Sequence, residues 1–257
     1  MRKNLKFLST KGTLKLILGT GLVLSSIQLS AQTTTSHSPY SKFGLGQVRE
    51  DLLPQTRAMG GISAGVRYQS GLPIINIANP ASYSAFSRTI LEAGLYGNMT
   101  QLAKGNATDK TGDFAFSHFA IGIPLAKAGG VAFGLMPFTD VGYNDTRTVR
   151  NGSLQSIESL SGQGGTNKAF IGYGVSPLKG LSIGGNVGFV FGELSDITAI
   201  SFPTDLTMLD SRYQETRLIR GATFDYGIQY SKSLSNNKLN LTVGYAGSLN
   251  NTLKSTT

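Results

Sequence analysis

Residues able to do covalent or acid–base chemistry are sparse in this chain. Its two histidines, His37 and His118, are far apart in sequence, and a metal site needs several convergent donors. His118 falls in an alternating segment and reads as a polar wall residue. Asp109, Asp113, Asp140 and Asp145 flank expected loops, where carboxylates are ordinarily solvated, and no Ser-His pairing is evident. Gly162-Gln163-Gly164-Gly165 has the glycine content of a phosphate loop but lacks the helix and the Lys-Ser/Thr that would follow. With no cysteine in 257 residues, disulfides and thiolate metal sites are excluded. The expectation is a protein that is not an enzyme, with no cofactor and no metal.

The formal charge of +9 is unevenly spread. Arg2, Lys3, Lys6, Lys11 and Lys15 come before any acid, and without them the balance falls to +4, too small and dispersed for a nucleic-acid partner. These five charges followed by an apolar run over residues 16–29 and by Leu29-Ser30-Ala31 have the layout of an export signal. It spans residues 1–31, with cleavage between Ala31 and Gln32. The run is too short for a retained membrane helix, which needs ~20 apolar residues.

Two compositional regimes follow. Residues 32–87 are punctuated by Gly and Pro too often for regular elements, and such a segment needs another structure to hold it. From residue 88 onward the period becomes two, the signature of strands with unlike faces. Leu181, Ile183, Val187, Phe189 and Phe191 share one face, while Ser182, Gly184, Asn186 and Gly188 share the other. The same alternation recurs over 222–231 and 239–246. About seven strands are expected, at 89–101, 113–125, 130–143, 167–176, 181–194, 216–232 and 238–249. Short turns at 177–180 and 233–237 alternate with long polar loops at 144–166 and 195–215.

A secreted sandwich would also alternate. Strands longer than the ~5–6 residues of soluble sheets, a Gly/Ser/Thr/Asn face suited to a lumen, and tyrosines toward strand ends favour an all-β, transmembrane antiparallel β-barrel. Seven is an odd count where bacterial barrels have even ones, and an open sheet edge is costly in lipid. The expectation is that residues 88–257 are the N-terminal half of a barrel whose remainder is missing.

The export signal, the Gly-rich segment, Ala58-Met59-Gly60-Gly61 and Asn79-Pro80-Ala81 just before the first strand together resemble the FadL/OmpP1-type outer-membrane transporters. Ser38-Pro39-Tyr40-Ser41-Lys42-Phe43-Gly44-Leu45-Gly46 resembles the Bacteroidetes version. That resemblance implies a 14-stranded barrel plugged by an N-terminal hatch, here residues 32–87, with Asn79, Pro80 and Ala81 as the hatch motif. Gly71 to Ile77 departs from the family in being more apolar. In the third strand Pro137 removes a ladder donor, so a kink is expected there. In FadL-type proteins such a kink opens the wall sideways, which would make Gly134 and Pro137 a lateral gate; an ordinary bulge is the other reading.

The function implied is passive uptake of hydrophobic, fatty-acid-like molecules through the bacterial outer membrane, with membrane lipid and the barrel-assembly machinery as partners. The alternatives are an interaction or shuttle protein of the type IX secretion kind, with a secreted-protein partner, and a general polar pore.

Overall fold

A computed structural model describes residues 38–105, 107–151, 154–203, 207–234, 239–249 and 252–257. The expected export signal and the expected cleavage site at Ala31 and Gln32, together with His37, lie outside the described residues. The described residues fall in one compact unit.

Alternating residues around frequent Gly make long antiparallel strands here, whereas the Pro- and Gly-punctuated stretch before them makes only short pieces. Those pieces are β1 (Gln47–Val48), β2 (Tyr68–Gln69), β3 (Leu72–Pro73), a single-turn helix Pro54–Ala58, and 3-10 helices at Pro39–Lys42 and Pro80–Ala85. The strands that follow are β4 (Ile90–Lys104), β5 (Ala107–Pro124), β6 (Gly130–Asn151), β7 (Leu154–Leu178), β8 (Leu181–Ser201), β9 (Ser211–Leu234), β10 (Leu239–Ser248) and β11 (Lys254–Thr256). In sequence order β4 to β10 form a curled half-barrel meander, with β1 added to β6 and β11 to β9. All seven expected long strands are present.

Strand lengths differ from expectation. Residues 144–166 and 195–215 were expected as loops, yet most of them extend the ladders of β6 with β7 and β8 with β9, from Asp145↔Leu160 to Asn151↔Leu154 and from Ser195↔Thr216 to Ile200↔Ser211. Their polar composition carries no alternating signal, since backbone pairing in a hairpin does not require one greasy face. Arg147 and Glu158 bond across it at 2.6 Å. Asp113 and Asp140 stand in β5 and β6 as the expected strand bounds have them, while Asp109 in β5, Asp145 in β6 and the Gly162 to Gly165 run in β7 are paired strand residues rather than loop residues.

The inner face of the sheet mixes small, polar and apolar residues, and the outer face is predominantly apolar. On β8, Ser182, Asn186 and Val190 are buried, while Ile183, Val187, Phe189 and Phe191 are 37–51% exposed. The same holds for exposed Leu91, Leu95, Phe119, Phe133, Ile171, Phe224, Ile228 and Leu241 against buried Ala120, Ala132, Thr223 and Gln229. A water-soluble sheet would hide the apolar set, because burial of apolar area is what drives folding in water.

The N-terminal segment covers the inner face. Its core is Leu53, Ile75, Ile77, Tyr83 and Phe86 packed on Ala120, Ala132, Met136 and Phe170 of the wall. The apolar stretch at 71–77, which departs from the FadL pattern, supplies the centre of this cluster. Small wall residues make the approach possible. At Gly227 an added Cβ would meet the Asn79 side chain, and at Gly184 it would meet the backbone of Pro80.

Candidate functional site: the packed inner face and the wall split

Asn79, Pro80 and Ala81 form the corner that seats the segment. Proline fixes the backbone for the first turn of the 3-10 helix, and Asn79 caps it by accepting the Ala81 N–H at Oδ1, 3.1 Å away. The other end of the amide crosses to the wall. Asn79 Nδ2 donates to the carbonyl of Ala64 at 2.6 Å and faces those of Ile228 and Tyr245 at 3.4 Å. All three motif residues are buried. The motif thus ties two parts of the segment to β9 and β10.

Charges buried on the same face hold it elsewhere. Lys168 of β7, 2% exposed, donates to Asp51 Oδ2 at 2.6 Å and to Asp225 Oδ2 of β9 at 2.9 Å. One ammonium between two carboxylates therefore links the segment to two strands. Ser248 Oγ donates to the other Asp225 oxygen at 2.6 Å. Arg67 makes a second hub with neutral partners, donating to Ser182 at 2.7 Å, Gln229 at 3.1 Å, Ser84 at 3.2 Å and Ser231 at 3.3 Å. Desolvation lowers its pKa from the ordinary value. Burial raises the Tyr83 hydroxyl well above its usual range, so it stays neutral between the segment and the wall.

His118 is a packed wall residue. It is 2% exposed, with Nδ1 3.1 Å from Ser117 Oγ and Nε2 3.8 Å from Glu92. Glu92 in turn accepts from Gln55 at 2.9 Å and from the Ile75 N–H at 3.3 Å, another tie to the segment. Among the described residues no cluster of three His, Cys, Asp or Glu could hold a metal.

The wall itself is split. The ladder between β5 and β6 runs only from Pro124↔Gly130 to Phe119↔Leu135, although β5 continues back to Ala107 and β6 on to Asn151. Both strands change register at this level. β5 shifts against β4 at Gly94/Leu95, opposite His118 and Phe116, and β6 shifts against β7 between Pro137 and Thr139. Bulges raise local twist and turn strands apart. Pro137 lines the resulting cavity of about 210 Å³ together with Arg49, Ala115, Phe116, Thr139 and Thr166. Gly134 lies below it, inside the intact ladder between Ala120 and Phe170.

Sequence reasoning singled out the Asn79 corner and Pro137 but passed over Arg49, Asp51, Arg67, Lys168 and Asp225. A usable signal existed: Lys168 and Asp225 fall on the small-residue parity of their strands, where an isolated charge needs a partner.

These features define a half-barrel sheet of inverted polarity whose inner face is filled by its own N-terminal segment. The chain belongs to the BamG family, whose model matches residues 13–257. No curated protein and no solved structure matches it.

Proposed function

We propose that the chain is an outer-membrane β-barrel protein that works as an accessory of the barrel-assembly machinery, a binding surface held rigid by its own plug. The carrying observation is the filled inner face. Ion pairs at Lys168, the Arg67 hub and the Asn79 corner anchor residues 38–87 to β7, β8, β9 and β10, an investment suited to a fixed scaffold. Family membership supports the partner, since BamG is a barrel-assembly-related family. The outward band supports the location. On β8 it spans residues 183–191, close to the ~9–11 residues a tilted strand needs to cross a bilayer. Beyond that band β6 to β9 continue as polar hairpins that offer a surface outside the lipid.

The test is purification of the tagged full-length protein from outer membranes in mild detergent, paired with depletion in cells. Stoichiometric recovery of the core assembly barrel, and unfolded outer-membrane proteins on depletion, are expected. Normal barrel assembly in depleted cells would overturn the reading.

One observation favours a second reading, uptake of hydrophobic molecules as in the FadL-type proteins that the motifs resemble. The cavity at Pro137, beside apolar Ala115 and Phe116, lies where a sideways exit would be. Its volume is below the ~300 Å³ at which ligand pockets usually begin, so a transported molecule requires the segment to move. Uptake of a labelled fatty acid, lost on depletion and restored by the intact gene, would favour this reading over the first.

A further inference from the structure

The β6 edge at the split is occupied. Above Leu135, where β5 leaves, β6 keeps an edge whose backbone groups have lost their strand partner, and an unpaired edge is especially costly in a membrane. The N-terminal segment takes that place. Gln47 and Val48 pair antiparallel with Asp140 and Thr139, running in the direction β5 would have run. The Arg49 N–H donates to the Phe138 carbonyl at 2.9 Å, the Ser38 N–H donates to the Gly142 carbonyl at 3.0 Å, and the Gly142 N–H donates to Ser41 Oγ at 3.1 Å. Arg49 also forms an ion pair with Asp140 and lies over the Tyr96 ring. Gly46 permits the approach: its φ is +87°, and a Cβ there would collide with the Asp140 carbonyl.

We propose that residues 38–49 are a built-in substitute strand: they hold the β6 edge that β5 vacates and so keep the wall slit open, and their withdrawal lets β5 close onto β6. Plug position and wall closure are then alternatives, because one row of backbone groups cannot pair with both strands. The bulges at Ser117 and Phe138 lie where the two strands part, so closure extends a ladder already started at Phe119 and Leu135. This inference rests on strand pairing alone and is independent of both functional readings.

The absence of cysteine makes a cross-linking test clean. In the full-length protein, V48C/T139C should form a disulfide on mild oxidation, since directly paired strand positions have suitable spacing. A115C paired with F138C or with T139C should not. Adding Gly46→Val, which dislodges the substitute strand without altering any residue of β5 or β6, should abolish the first cross-link and produce one of the second. S41A/R49A, a milder loosening, should shift both yields in the same directions if Gly46→Val fails to fold. Heat-modifiable gel mobility checks that each variant is a folded barrel. A 115-to-138 or 115-to-139 cross-link of equal yield with and without the loosening substitutions would overturn the proposal. So would loss of the 48-to-139 cross-link with no gain in the other.

Discussion

Lys168 has almost no access to water, and its two carboxylate partners come from opposite sides of the contact between plug and wall. Removing the cation leaves Asp51 and Asp225 facing each other across a desolvated space. Breaking a buried pair costs about 3–5 kcal/mol, whereas neutral replacement of the whole group is far milder. Lys168→Met should therefore lower the urea midpoint sharply and expose residues 38–87 to protease, and adding D51N/D225N should recover much of the loss. Asn79→Asp is a nearly isosteric change that exchanges a hydrogen-bond donor for an acceptor. It keeps the cap acceptor but replaces the donor by a carboxylate aimed at three carbonyls. A loss of about 1–3 kcal/mol is expected from the unmade bonds, read as the same protease exposure of the segment with the outer wall still folded.

At the scale of elements, the strands carry two jobs along their length. Near the short turns they present apolar residues outward. Farther along, β6 with β7 and β8 with β9 continue as polar ladders crossed by pairs such as Arg147–Glu158 and Arg217–Asp196, both at 2.6 Å. Arg147 is largely exposed, and exposed pairs contribute ~0–1 kcal/mol, so R147A/E158A should leave thermal stability within that range. A larger effect would mean that the hairpin is packed against a partner.

The outer face carries aromatic and aliphatic rows on the long strands, and the proposed outer-membrane location predicts that this face meets lipid. Since the chain contains no tryptophan, single-site probes can test this directly. Val187→Trp should give blue-shifted emission quenched by brominated lipid. Thr242→Trp, on the face where Arg67 and Met59 line a cavity with it, should resist that quencher. Equal quenching of the two would remove the inside-out assignment.

Much of this architecture was legible because alternation is a local property. Ile183 through Phe191 announce a strand with one greasy face, and the count and order of the seven long strands follow from such runs. Asn79-Pro80 was legible as a corner, and Pro137 as a break in a ladder, since both act through their own backbone. Long-range pairing was not legible. Which face is covered, the seating of Ile75 and Ile77 on the wall, the meeting of Lys168 with residues 117 and 57 positions away, and the capture of the β6 edge by residues 38–49 all depend on segments brought together only when the sheet curls. The polar hairpins were hidden for the same reason: hydrogen bonds between strands, unlike burial of apolar side chains, leave little mark on composition.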